Sequence, residues 1–551
     1  MNESSEGKNI LIALALCAVF YYGYNSYIAK KYPRANNANT TSETAATPDT
    51  TIEAAQPSTR SAAPAANTTV PATIAPSQTA RLEQEALLFS SDSLNLRFAQ
   101  DDSSLQVAQL PRYHEGLSDD SPLVNLTKSP LIVQGSLSAT QFEPHLGFAA
   151  ARSGNTLSFS RDIGTWQISQ DFESSPDAHG LLLTVRYRNI SQAPQELVSA
   201  VVFRENLQKA QKSGGFFSSG NNRVEDALVL ATSSGVKREV VSKFCDAENG
   251  EVIMQGQGED IAFAGLDMHY FLRAFQPLSG KMDFVVRRAN DRSGDGCPVE
   301  LVLSQKQGMV AAGDSVAIKF KAYLGPKNVA DLNAFDPRLN DAIDLGFFGI
   351  VGQPLLKAVR WLYTAVGNYG LAIVIITALL KLLFYPMNKS AAVSMKRMQK
   401  LQPQMQALRE KHKDDPRKQQ QEMMKFMTAN KINPAKGCLP MLPQIPVFLA
   451  FWNVLNNAIE LRHAPFFGWI NDLSAADPFY VTPLLLGAGM FLQQKMTPNP
   501  SMDKTQEKVM LMMPIIFTAM FFSMPSGMVI YMITNTVISI AQQQLINRRF
   551  V

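Results

Sequence analysis

Among its 551 residues the chain has only four cysteines and six histidines, and no CxxC or Cys/His spacing connects them. That shortage removes the usual sequence signs of a metal site or a dithiol redox centre. There is no phosphate-binding loop, no nucleophile with a nearby base, and no series of paired carboxylates or histidines for moving protons. Nothing here reads as an enzyme, and no cofactor, metal site or catalytic residue is expected. Long apolar runs are missing from the middle of the chain, and residues 36–80 contain no aromatic residue.

What is present is segregation. An overall hydrophobic fraction of 46% is ordinary, but the long apolar runs fall near the N-terminus and after about residue 354. Ile10 to Ile28 is apolar and about long enough to cross ~30 Å of hydrocarbon. Its preceding tail has Glu3 and Glu6 against Lys8, and no A-x-A site follows. These features favour an uncleaved anchor over a signal peptide. Residues 1–30 are therefore read as a transmembrane anchor and 31–80 as a flexible linker, too poor in apolar surface to offset its ordering entropy.

Residues 81–325 read as β structure in water. Leu183, Val185 and Tyr187 alternate on one face, as do Val316, Ile318 and Phe320, between turn-forming clusters such as Ser233-Ser234-Gly235. With no convincing βαβ alternation, a large antiparallel β-sandwich is expected. Cys245 and Cys297 share this region: in an oxidising compartment they pair, otherwise they are free or buried thiols, and the residues leave both readings open. From Asp336-Pro337, Leu339, Ile343 and Phe347 recur every fourth residue. That spacing predicts an amphipathic interfacial helix within 326–363.

Five apolar stretches follow, placed at 364–385, 441–460, 479–495, 508–523 and 526–543. Between the first two, residues 386–438 carry 12 Lys/Arg against four acidic residues, a net +8, whereas 461–478 has Arg462 against Asp472 and Asp477. Basic short loops stay in the cytoplasm, so 386–440 is expected inside and 461–478 outside. Counting back places both termini inside, including the short basic tail 544–551, and the β domain outside. Lys30, Lys31 and Arg34 beside the anchor argue the other way, and five agreeing spans outweigh them.

Lys381 sits within an apolar helix, where a lysine costs about 2.5–3.5 kcal/mol to insert unless it faces a cavity or reaches the headgroups. Thr377 and Tyr385 lie one turn to either side. Gln444, Asn453, Asn456, Asn457, Gln493, Gln494, Thr534, Asn535 and Thr536 dot the other spans, either as helix–helix glue or as the lining of an internal hydrophilic cavity. The inside loop reads as an αα-hairpin broken near Asp414-Asp415-Pro416, with Met395, Met398, Met405, Met423, Met424 and Met427 as adaptable contacts. Lys396, Arg397, Lys400, Arg409, Lys411 and Arg417 give it a basic surface. That charge fixes orientation, and a role in meeting acidic lipid, ribosomal RNA or an arriving chain is an added hypothesis.

Region 364–549 closely resembles the YidC/Oxa1/Alb3 family of membrane insertases. The matching strings include Gly367-Asn368-Tyr369-Gly370, Tyr385-Pro386, Gln421-Glu422-Met423-Met424, Glu460-Leu461-Arg462, Asp472-Leu473-Ser474, Asp477-Pro478, Pro525-Ser526-Gly527 and Gln542-Gln543-Gln544-Leu545. The N-terminal anchor and large outer β domain resemble the Gram-negative branch, whose domain is a β-supersandwich. The resemblance implies a five-helix core around a hydrated groove open to the cytoplasm, in the bacterial inner membrane, with the β domain periplasmic. Lys381 aligns with the family's groove cation, where bacterial relatives commonly carry arginine, and Met532 follows Tyr531 where relatives often have two tyrosines. Thr377, Gln444, Asn453, Asn457, Tyr531, Met532 and Asn535 join Lys381 as the expected groove residues.

The implied function is insertion and folding of inner-membrane proteins, alone or beside the Sec translocon and its accessory subunits. Nascent membrane proteins, the ribosome and membrane lipids are the expected partners, and DNA is not. A small-solute transporter is the rival reading, but inverted repeats of broken helices and a mid-membrane ion site are not evident. A structural scaffold for envelope complexes is the second rival, and it would tolerate neutralising Lys381.

Overall fold

The two alternating runs singled out above become neighbours. The computed structural model describes residues 87–549 apart from 140–141, 143, 210–224, 291–295, 414, 431–440 and 497–503. The anchor 1–30 and linker 31–80 lie outside the described residues. Within the β domain, Ile318 stands opposite Val185, Phe320 opposite Leu183, and Val316 opposite Tyr187. The apolar faces of both strands thus merge on one side of the sheet.

That sheet has nine strands in the order β12 (Gly235–Val240), β11 (Ala227–Thr232), β14 (Ile261–Asp267), β15 (Phe271–Pro277), β18 (Ser315–Pro326), β9 (Gly180–Asn189), β8 (Trp166–Ser174), β7 (Thr156–Ile163) and β6 (Ala149–Ser153). A five-stranded sheet runs β13 (Val252–Glu259), β16 (Met282–Arg288), β17 (Cys297–Val310), β10 (Gln195–Leu207) and β5 (Ile132–Ser136). A four-stranded sheet contains β1 (Leu88–Ser90), β2 (Asn95–Phe98), β3 (Leu105–His114) and β4 (Leu123–Asn125). Every strand pair is antiparallel.

One apolar core joins all three sheets. Val185, Tyr187 and Phe320 of the nine-stranded sheet meet Val201, Phe203 and Leu301 of the five-stranded sheet, and Phe98 packs 4.5 Å from Phe172. The Tyr187 hydroxyl crosses between sheets to donate to the Ala200 carbonyl, so its polar tip is satisfied in the interior. Cys245, on the short helix α1 (Val241–Asp246), forms a disulfide with Cys297 at the start of β17. The pair left open by the sequence is bonded.

The predicted helix through Leu339, Ile343 and Phe347 is not continuous. After α2 (Val329–Phe335), Asp336 caps only a 3-10 turn, Pro337–Ala342, and Gly346 turns the chain at φ 64°. Leu339 and Ala342 are buried with Tyr323, Leu332 and Phe335 under the β domain, so this segment closes the soluble core. Burial would raise the Asp336 pKa, but hydrogen bonds from Arg338 and Gln276 outweigh it and hold the carboxyl at about 2. The amphipathic helix comes later, as α3 (Gly349–Val366). Leu355, Leu356, Val359 and Leu362 are buried on one face, while Ile350 is 88% and Trp361 69% exposed on the other.

Gly367, at φ 68°, ends α3, and the Asn368 side chain caps α4 (Tyr369–Leu383) by accepting from the Leu371 N–H. Residues 364–366, expected to begin the first apolar span, therefore belong to the preceding helix. Pro386, one residue past the expected end of that span, occupies the first turn of α5 (Tyr385–Lys400), which bends 62° away from α4. The hairpin follows as α6 (Gln402–Lys411) and α7 (Pro416–Ala429), with the Asp415 side chain capping α7 at Arg417 N and Lys418 N. Met398, Met405 and Met423 are buried as the hairpin's own core.

The remaining helices are α8 (Met441–Asn457), α9 (Val481–Met496), α10 (Lys504–Phe521) and α11 (Ser526–Arg549). Each lies on an expected apolar stretch, with ends shifted by a few residues. No single described helix is long and apolar enough to cross a membrane, though bent pair α4–α5 passes that test together. At 15 residues, α4 is about 22 Å long. The β domain is seated on the C-terminal end of α8. Ile459 is buried in the β core, His269 Nε2 donates to the Asn456 carbonyl at 2.6 Å, and Arg462 donates to the His114 and Glu115 carbonyls.

Candidate functional site

Where α4 faces α11 lies a small, half-open cleft with a volume of about 20 Å³, room for about one water molecule. Thr377, Leu380, Lys381, Phe384, Asn388, Gln444, Val447, Tyr531 and Asn535 line it, from α4, α5, α8 and α11. Five of the residues expected at a groove, namely Thr377, Lys381, Gln444, Tyr531 and Asn535, thus come together. They do so because the i, i+4 spacing of Thr377 and Lys381 puts both on the α4 face that meets α11.

Lys381 is only 8% exposed, and its ammonium points into the protein. Nζ donates to Ser539 Oγ at 2.9 Å, and Gln542 Nε2 donates to the Lys381 carbonyl at 3.3 Å, both from α11. Among the described residues no carboxylate forms an ion pair with it. Thr377 returns its hydroxyl to the Ile373 carbonyl at 2.6 Å, and Gln444 Nε2 donates to Asn535 Oδ1 at 2.9 Å, joining α8 to α11 across the cleft. Tyr531 stacks on Phe451 with ring centroids 4.4 Å apart.

Three of the expected residues stand elsewhere. Asn453 Nδ2 donates to the Leu345 carbonyl at 3.0 Å, tying α8 to the segment below the β domain. Asn457 Nδ2 donates to the Asn453 carbonyl one turn back at 2.8 Å. Met532, the next residue after Tyr531, is not among the residues lining the cleft and packs both on the cluster that holds Tyr531 and on Leu486 and Phe521 of α9 and α10. Ser539 was missed by the sequence reading. Tyr531, Asn535, Ser539 and Gln542, spaced four, four and three, form a polar stripe on α11 that could have revealed it.

The hairpin's basic residues cluster at helix ends. Arg397 and Lys400 lie in the last turn of α5, and Arg409 and Lys411 in the last turn of α6, where cations complement the helix dipole. Lys396 Nζ reaches the Asn547 carbonyl at 3.5 Å, which leans α5 on the end of α11. Arg397, Lys400, Lys411 and Arg417 are exposed. At the opposite end of the helices, burial would raise the Asp477 pKa. Hydrogen bonds from the Thr482 N–H and hydroxyl, the Phe479 N–H and the Trp469 indole outweigh it and hold the carboxyl below its usual range. Nearby, burial pushes the His463 imidazole down. Among the described residues no three His, Cys, Asp or Glu side chains gather as a metal site.

α8 packs on α3 and α11, and α10 packs on α9; among the described residues no packed helix seam joins α8 to α10. The lateral surface is apolar, with Leu379, Leu382, Leu383, Ile445, Leu484 and Ile515 exposed.

Two family models cover most of the chain. Residues 361–551 match the one described as 60Kd inner membrane protein, and residues 87–358 match the YidC periplasmic domain. The membrane protein insertase YidC of Syntrophus aciditrophicus (strain SB) is 34% identical over 561 residues, spanning 98% of this chain and 99% of that one. Its counterpart in Oleidesulfovibrio alaskensis is 32% identical over 568 residues, spanning 98% of each. A solved structure described as "Active YidC insertase crystal structure with the first transmembrane domain resolved" is 17% identical. It covers 83% of this chain and 93% of its own, with a TM-score of 0.36.

Proposed function

Because the chain belongs to the YidC family of membrane protein insertases, acting in the inner membrane as insertase and chaperone rather than as an enzyme, we propose that the Lys381 cleft is its working groove. In this reading α4, α8, α9, α10 and α11 are the five spans of the core, and the anchor 1–30 is a sixth. Both termini and the hairpin lie in the cytoplasm, and the β domain is periplasmic. The exposed apolar residues along the helices support the lipid contact, since a bundle in water would bury them.

The physical task is to move a short polar segment past hydrocarbon while an apolar segment reaches lipid. A hydrated cleft shortens the dry distance that polar groups must cross. Lys381 supplies a counter-charge for an acidic tail, and Thr377, Gln444 and Asn535 supply hydrogen bonds along the way. Tyr531 gives the arriving chain an aromatic wall. The apolar segment then leaves between α8 and α10, drawn by its own burial in lipid. The basic hairpin and tail meet the ribosome, anionic lipid or the nascent chain, and the protein works alone or with the Sec translocon and its accessory subunits.

One observation carries this reading: the ammonium of Lys381 is turned inward, onto a polar neutral partner, at a small cleft between the helices. Proteoliposome insertion of a client with an acidic translocated tail tests it. Lys381→Ala should cut insertion about tenfold, the loss of roughly 1.4 kcal/mol of favourable interaction, while Lys381→Arg should stay within about threefold. Equal insertion by wild type and Lys381→Ala would remove the electrostatic step.

A further inference from the structure

Ser539 meets the groove cation in a way that restricts what the hydroxyl can do. Its Oγ accepts from Lys381 Nζ at 2.9 Å and donates its own proton to the Asn535 carbonyl at 2.7 Å. With that proton committed to α11, the oxygen presents lone pairs to Lys381 and acts as an acceptor of fixed direction. One turn further, Gln542 holds the Lys381 carbonyl. Side chain and main chain of Lys381 are therefore both tied to α11, immediately before the 62° bend between α4 and α5.

The partner is also neutral. A hydroxyl satisfies one donor of a desolvated ammonium without cancelling its charge, whereas a carboxylate in the same place would pair with it and extinguish its field in the cleft. The helix geometry would accommodate a short carboxylate there, because Ser539 already reaches Lys381 directly.

We infer that Ser539 is a positioning residue that seats the Lys381 charge and, by its neutrality, keeps that charge available to acidic client segments. This rests on the reading of Lys381 given above and acts through it, since Ser539 need not touch the client.

The test is the ratio of insertion of two clients that differ only in an acidic or a neutral translocated tail, measured with the full chain in proteoliposomes. Ser539→Asp should lower the acidic-to-neutral ratio about tenfold, as Lys381→Ala does in the same assay. Ser539→Ala should lower it about threefold and Ser539→Thr should restore it, because threonine returns the acceptor. If both clients fall together in Ser539→Asp, the ratio is unchanged and Ser539 is a packing residue, which overturns the inference. It is equally overturned if Ser539→Asp leaves the ratio at the wild-type value while Lys381→Ala lowers it. A ratio indifferent to Lys381→Ala fails the underlying reading of the groove instead, so the two failures are distinguishable.

Discussion

The β domain and the Lys381 cleft both bury charge, and they provide for it in opposite ways. Five cations of the β domain with little exposure meet carboxylates: Arg273 meets Glu205, Arg204 and Arg287 share Glu300, and Arg238 and Lys327 share Asp267. In the helical unit Arg360 meets Glu460, but Lys381, comparably buried, has the Ser539 hydroxyl and no carboxylate among the described residues. A buried pair recovers part of its desolvation cost through mutual attraction, and removing one member is expensive, which fixes one arrangement of strands. An uncompensated charge costs desolvation energy that the fold does not recover, so it persists where something outside the fold makes use of it. Burial alone therefore says little about a charged residue's role; the chemistry of its partner separates structure from function.

The contrast can be broken most sharply at Asp267. Asp267→Ala leaves Lys327 buried without its carboxylate and Arg238 with only the Asp344 carboxylate, 3.6 Å away, and should destabilise the β domain by about 3–5 kcal/mol. Denaturant unfolding of the full chain, followed by a β-sheet signal, checks this. A loss under 1 kcal/mol would mean the pairs are incidental. Next in size is the Cys245–Cys297 bond, which closes a loop of 52 residues and in the chain-entropy account contributes roughly 4 kcal/mol. Cys245→Ser/Cys297→Ser should lower β-domain stability by about 2–5 kcal/mol, and reducing agent should reproduce the effect in the wild type only. The smallest stability change is expected at the groove. Lys381→Met removes a desolvated charge with no carboxylate to orphan, so stability should rise or fall by no more than ~1 kcal/mol, even as insertion of acidic-tailed clients falls. A large destabilisation there would place Lys381 with the structural pairs.

The same contrast explains what was legible in the sequence. Local patterns carried through: the alternation of Leu183, Val185 and Tyr187, the Asp415-Pro416 start of α7, and a lysine set among leucines all report on near neighbours. Order in the sheets did not, because β9 is flanked by β8 and by β18, the latter more than a hundred residues away, and no local pattern encodes that choice. The helix expected from Pro337 failed because its four-residue repeat is split between two cores. Leu339 belongs to the β domain, and only after Gly346 does the chain turn toward the helices. Asn453 and Asn457 look like groove residues by composition, yet one ties down the Leu345 carbonyl and the other bonds back along its own helix. An amide's partner is a tertiary fact. Ser539 escaped for a similar reason: a serine in an apolar helix usually bonds its own backbone, and this one does so while also receiving Lys381.

The account depends most on water reaching Lys381 from the cytoplasmic side. Lys381→Cys in a Cys17→Ser/Cys438→Ser background, labelled with a membrane-impermeant maleimide, tests this directly. Inverted inner-membrane vesicles should label readily, and right-side-out vesicles should not. Labelling confined to a lipid-soluble reagent, or reaching Lys381→Cys only from the periplasmic face, would contradict it.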